Sequence, residues 1–297
     1  MSVQQVRFGS FSQKLACSAQ ELRVGRAFSF ADRNYHIPMF FPQDLLTSSF
    51  LGPMVPAANK GARQRHIYLS LQHWYEAAKF MPFKPELRDA VLFCPSIKEA
   101  KKFSRMHQKD WRSDWNMVRP SVLISGLAFL TIHRPELGLA NADIETLKTG
   151  LSQMNLPERF VDACLERYDV WRKGPAVSFF GAELAPSLLV GQRLSKLVTP
   201  LPSWTMVTPC NGRTAWRLHD WCLTHFVPVQ YIGKPTDRMG RQLIELIIKR
   251  SDQIVVFEAR RSKKNDATLQ VAKLHKKKIS LELFDPATPE QSLPGIG

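Results

Sequence analysis

Between residues 187 and 283, short apolar runs alternate with helical stretches, and no other feature of the chain constrains its fold more. Ser187-Leu188-Leu189-Val190, ending at Gly191, reads as a strand, and Thr205-Met206-Val207 as a second. A helix over 213–225 precedes the strand 227–232, and a helix over 239–250 precedes the strand 253–257. A helix over 265–276 and a strand over 279–283 complete the series, and the last dozen residues read as a tail. Strands separated by helices cannot pair as hairpins, so the pattern predicts an open parallel sheet with helices on both faces.

Upstream the period changes. Apolar residues recur at helical spacing over 69–81, 96–107, 114–131, 141–150 and 157–172. Ser96 followed by Glu99 forms a capping box at the head of the second of these. The first 65 residues have little periodicity, with a Pro/Gly cluster from Gly52-Pro53 to Gly61. Prolines and glycines return over 174–187, a boundary composition. The expected layout is α + α/β, with a mostly helical domain over 1–175 and an α/β domain over 176–297.

Charge narrows the partner. The net charge is +15 and the pI about 9.8, and the basic excess is 8 before residue 175 and 7 after it. An excess shared by both halves suits a polyanion that touches both, and nucleic acid is the expected partner, DNA before RNA. The five cysteines are widely spaced and form no metal-ligand pattern. Reduced cysteines, and no apolar run long enough to span a bilayer, lead us to expect a soluble cytoplasmic protein that needs no metal, cofactor or membrane. No protein partner can be inferred.

Chemistry-bearing residues concentrate between 70 and 137. Ser70-Leu71-Gln72-His73-Trp74-Tyr75-Glu76-Ala77-Ala78-Lys79-Phe80 is followed by Glu86-Leu87-Arg88 and by Pro95 to Lys102. Next come Arg112-Ser113-Asp114-Trp115-Asn116-Met117-Val118-Arg119 and Arg134-Pro135-Glu136-Leu137. This ordered series resembles the NADAR (YbiA-like) family of N-glycosidases over about residues 45–150. The family's signature glutamate falls on Gln72, and its late Lys-Phe pair falls on Leu130-Thr131.

The resemblance implies cleavage of a base–sugar bond, a step that develops positive charge on the sugar and calls for a nearby carboxylate. Gln72 cannot ionise, which leaves Asp114 and Glu76 as the neighbouring acids. Asp114 is the first candidate, grouped with Gln72, His73 and Trp115 as catalytic residues and with Tyr75, Glu76, Arg112 and Arg119 as substrate contacts. Packing offers a competing account: His73 and Trp74 suit a core face, Trp111 and Trp115 a core stripe, and Asp114 a helix cap. Lys98, Lys101, Lys102, Arg105, Lys109, Arg112 and Arg119 are interleaved with Phe103, Trp111 and Trp115. Cations beside stacking platforms suit a single strand or an extruded base, although a solvated helix face would look the same.

The second half resembles a degenerate SLOG-like, Rossmann-like domain. Its marks are Leu188-Leu189-Val190-Gly191-Gln192-Arg193, Cys210-Asn211-Gly212-Arg213-Thr214-Ala215, Met239-Gly240-Arg241-Gln242 and the strand from Ser251 to Phe257. Arg241 with Arg260, Arg261, Lys263 and Lys264 is the expected contact for backbone phosphates. Three functions follow as expectations. The first is an N-glycosidase acting on a modified or ADP-ribosylated base in nucleic acid, of use in defence against foreign DNA. The second is an inactive nucleic-acid-binding protein, and the third a hydrolase or sensor of ADP-ribose or NAD-type nucleotides.

Overall fold

The computed structural model describes residues 44–56, 63–182, 185–197, 203–210, 213–234, 237, 239–260 and 262–285. Cys17, Asn211, Gly212, Arg261 and the tail after residue 285 lie outside them. The layout is α + α/β. A short helix α1 (Asp44–Thr47) leads into an antiparallel hairpin, β1 (Phe50–Pro56) and β2 (Arg63–Tyr68). A bulge between Leu51 and Met54 interrupts the alternation of these strands, which is why their period is invisible in the sequence.

Six helices follow: α2 (Leu71–Ala78), α3 (Pro85–Leu92), α4 (Ile97–Met106), α5 (Trp115–His133), α6 (Ile144–Ser152) and α7 (Glu158–Arg172). Ser96 caps α4 as its sequence predicts, its Oγ accepting from the Glu99 N–H at 3.2 Å. Helix α5 is the axis of this half. Its length and composition would suffice to cross a bilayer, yet residues 121–130 are all buried inside the protein.

The remainder comprises β3 (Ala176–Phe180), α8 (Ser187–Leu197), β4 (Thr205–Pro209), α9 (Arg213–His225) and β5 (Val229–Ile232). It continues with α10 (Arg241–Arg250), β6 (Gln253–Ala259), α11 (Asp266–Leu274) and β7 (Lys278–Phe284). All five strands are parallel, in the order β5-β4-β3-β6-β7. This is the open, Rossmann-like sheet that the alternating pattern predicts. Val177, Phe179, Met206, Val255 and Phe257 share a core with Val190, Leu194, Leu218 and Cys222 of α8 and α9. Phe180, Val207, Ile254 and Val256 face the other way, against Leu243, Ile247, Ile248 and Ala272 of α10 and α11. Helices therefore cover both faces.

One expected strand is a helix. Ser187 to Val190 opens α8, and Gly191 lies within that helix rather than ending a strand. A four-residue apolar run does not distinguish strand from helix; here Val190 and Leu194 are the buried pair at i, i+4, while Leu188 is exposed. The first strand is instead Ala176–Phe180, hidden in what read as boundary composition. Its glycine turn is Gly181, at φ +74°, where a Cβ would lie 2.1 Å from the Phe257 carbonyl oxygen.

The first core is continuous from the helical half to one face of the sheet. Trp74 of α2 meets the rings of Phe50, Tyr68, Phe129 and, just beyond α9, Phe226. Arg65 of β2 donates to the Gly52 carbonyl at 2.9 Å and to His133 Nε2 at 2.8 Å, with its guanidinium 4.6 Å from the centre of the Tyr231 ring. Burial, with Arg65 beside it, pushes the His133 imidazole down to about 4.

Candidate active site

Helix α2 presents two faces with different work. Leu71, Trp74 and Ala78 turn inward, and the Trp74 indole donates to the Val122 carbonyl of α5 at 2.7 Å. Gln72, Tyr75, Glu76 and Lys79, spaced i, i+3, i+4 and i+7, line one side of a cavity of about 340 Å³. Lys101 and Arg105 of α4, Trp111 of the following turn, and Trp115, Asn116 and Arg119 of α5 complete most of its wall. Met154, Asn155 and Leu156, between α6 and α7, close the remaining side.

Glu76 sits at the centre of the polar wall and is only 4% exposed. Its Oε2 accepts from Lys79 Nζ at 2.6 Å and its Oε1 from the Gln72 amide, also at 2.6 Å. Lys79 Nζ lies 4.1 Å from the centre of the Trp111 ring, with the Trp115 and Tyr75 rings 5.7 and 5.8 Å away. An ammonium among aromatic faces, tied to a buried carboxylate, is a desolvated ion pair held by its geometry. Burial lowers the Lys79 ammonium from its ordinary value, with Glu76 opposing. The Gln72 amide, pinned through its nitrogen, leaves Oε1 buried with no partner among the described residues.

Three further cations surround the opening. Lys101 reaches the Met154 carbonyl at 3.3 Å, and its ammonium is lowered by burial while Glu76 opposes. The Arg119 guanidinium lies over the Phe160 ring at 4.8 Å, and Arg105 is exposed. Asn155 on the rim has φ +54°, the left-handed backbone that asparagine tolerates better than most residues.

Of the residues chosen from sequence, Gln72, Trp115, Tyr75, Glu76, Arg119, Lys101 and Arg105 converge on this cavity. Asp114, His73 and Arg112 do not line it. Asp114 is gripped by the Arg112 fork, Nε to Oδ1 at 2.6 Å and Nη2 to Oδ2 at 2.8 Å, and those bonds hold its carboxyl below the ordinary range. Arg112 also donates to the Met81 carbonyl at 3.1 Å, so both its charge and its geometry are committed to structure. The His73 backbone N–H donates to Ser70 Oγ, its Nδ1 lies 2.8 Å from that hydroxyl, and its Nε2 lies 3.1 Å from the Cys94 carbonyl oxygen. These interactions fix the start of α2, and burial lowers the imidazole.

Lys102 and Lys109 are exposed and lie off the cavity wall. Arg260, Lys263 and Lys264 are exposed just beyond β6, at the carboxyl edge of the sheet. Arg241 opens α10 beside Gly233, Asp237 and Gly240, lining a separate shallow cleft. Trp111, expected from sequence as a stacking platform, also lines the cavity, whereas Lys79, Asn116 and the loop over 154–156 are not candidates on the sequence. Lys79 carried a signal, its i+3 spacing from Glu76; the loop carried none. Among the described residues no group of three or more His, Cys, Asp or Glu side chains is placed to hold a metal ion.

Comparison with known proteins does not assign the chain. No family model matches it, and no curated protein matches it significantly. The likeness to the NADAR and SLOG-like families therefore rests on the residues quoted above.

Proposed function

We propose that the protein is an N-glycosidase-type hydrolase that takes a base of nucleic acid, modified and extruded from its strand, into the cavity lined by Gln72, Glu76, Trp111 and Trp115. The observation that carries this reading is the buried Glu76 carboxylate on the cavity wall, its charge balanced by Lys79, whose ammonium lies against the Trp111 ring. Aromatic faces suit a planar base by stacking. As the base–sugar bond lengthens, Glu76 stabilises the positive charge on the sugar and orients the attacking water, and Lys79 presents an N–H donor on the same wall. Lys101, Arg105 and Arg119 hold the flanking phosphates, which fits the basic excess of the whole chain. Cytoplasmic defence against foreign DNA is the role that such an activity would serve.

A second reading draws on Gln72. With an amide at this position, and both Glu76 oxygens already accepting hydrogen bonds, the cavity also suits binding without turnover. One assay separates the two. Incubated with single strands carrying modified bases, the wild-type protein releases free base and leaves abasic sites, and Glu76→Gln does not. Salt-sensitive binding without release by the wild type would establish the second reading and exclude the first.

A further inference from the structure

Phe226 of the α/β half touches two residues that adjoin the cavity wall, Trp74 and Arg112. Helix α9 ends in a Schellman turn, with the Val227 N–H donating to the Cys222 carbonyl at 3.0 Å. The left-handed position of such a turn belongs by preference to glycine, but here it is Phe226, at φ +53°. Its side chain is 2% exposed, so the strained backbone delivers a fully buried ring. That ring meets Trp74 edge-on, centroids 5.9 Å apart at 84°, and lies 5.2 Å from the Arg112 guanidinium carbon.

Trp74 and Arg112 each adjoin residues of the cavity wall without lining it. Trp74 is on the inner face of α2, whose outer face carries Gln72, Tyr75, Glu76 and Lys79. The Arg112 N–H donates to the Lys79 carbonyl at 2.8 Å, and its fork holds Asp114 at the head of α5, next to Trp115. Trp111, the residue before Arg112, bears the Lys79 ammonium. Phe226 therefore touches both a residue behind α2 and the residue that ties the end of α2 to the head of α5.

We propose that Phe226 is a positioning residue, through which the α/β half holds the cavity at its working width. The proposal rests on reading this cavity as the functional site. If Phe226 only fills space, its removal is felt by the residues it touches. If it sets the walls, its removal is also felt at Trp111 and Trp115, whose rings meet at a 60° tilt, centroids 6.3 Å apart, and make no ring contact with Phe226 among the described residues.

The test uses the full chain labelled with 5-fluorotryptophan, with signals assigned through Trp74→Phe, Trp111→Phe and Trp115→Phe. Phe226→Leu keeps apolar bulk, Phe226→Gly suits the left-handed backbone but removes the ring, and Phe226→Tyr keeps the ring. We expect the Trp111 and Trp115 resonances to shift or broaden in the Leu and Gly variants and to stay at wild-type positions in the Tyr variant. Affinity for a single-stranded deoxyoligonucleotide should fall about tenfold in the same two variants. Unchanged Trp111 and Trp115 resonances in a folded Leu variant, with only the Trp74 signal displaced, overturn the proposal, and this variant decides if the Gly variant does not fold. The fluorine signals need no base release, so failure of the glycosidase reading and failure of the positioning role are read separately.

Discussion

Glu76 and Lys79, three residues apart on one face of α2, form an ion pair 2.6 Å long whose side chains are 5% and 9% exposed. Removing one partner of such a pair strands the other in a low-dielectric site, at a cost of about 3–5 kcal/mol. Glu76→Gln should therefore lower both stability and base release, the latter by about 10²–10³-fold. In chemical denaturation the double variant Glu76→Gln/Lys79→Met should regain most of the missing stability and none of the activity. A double variant no more stable than the single one would contradict the pair's isolation from solvent.

Asp114 should behave differently. Its carboxylate is 36% exposed at the side chain but its partner Arg112 is buried, so its removal lowers stability, and Asp114→Asn, which keeps an acceptor for the guanidinium, limits the loss. Its folded-state pKa is depressed, so its contribution is present above the unfolded value near 4 and disappears as pH falls through the folded one. Asp114→Asn should keep base release within about threefold of wild type, since the group lies off the cavity wall. Loss of release comparable to that of Glu76→Gln would return the chemistry to Asp114.

His133 gives the fold an acid-sensitive joint. Its folded-state pKa of about 4 lies below the unfolded value near 6.5, so the unfolded chain binds the proton more readily. The neutral ring's contribution is complete above about pH 6.5 and is lost as pH falls toward 4, a change on the order of 2–3 kcal/mol. His133→Gln, which keeps an acceptor for Arg65, should flatten stability between pH 7 and 4.5. Parallel pH profiles for wild type and variant would exclude His133 as the source.

Gly126 lies where α5 passes α2, and a Cβ there would come 2.6 Å from Trp74 Cδ1 and 2.5 Å from Leu71 Cδ1. Alanine is worth about 1 kcal/mol more than glycine in an open helix. Here the overpacking cost of about 1–3 kcal/mol should win, so Gly126→Ala is expected to lower the denaturation midpoint.

Nucleic-acid binding should weaken with salt. Replacing Lys101 or Arg105 with glutamine should flatten the slope of log affinity against log salt by about 1 for each phosphate that is no longer neutralised. The same change at Lys196, on α8, should leave it unaltered. Equal effects at all three positions would indicate diffuse attraction rather than a track beside the cavity.

What the sequence reveals about this site follows from its geometry. Gln72, Tyr75 and Glu76 share a helical face, so their spacing alone predicts that they meet, and Trp115 with Arg119 repeats the argument on α5. Asp114 lies off the cavity wall because its carboxylate turns toward Arg112, a direction that proximity in sequence does not give. The loop over 154–156 reaches the rim through the packing of α6 on α7, which no local pattern announces. The sheet is legible from alternation, except that Ala176–Phe180 lies inside a Pro/Gly-rich stretch and Ser187 to Val190 is an apolar run too short to show its period.

Every residue lining the cavity falls between Gln72 and Leu156, whereas Phe226 lies far downstream. During synthesis the growing chain thus carries all the walls before Ala176, the start of the first sheet strand, has been added. The ring that presses on Trp74 and Arg112 emerges only after two strands of that sheet. Translation builds the chamber first and delivers this ring late, so a chain truncated between Ala176 and Phe226 would keep the chamber's residues and lack the ring behind it.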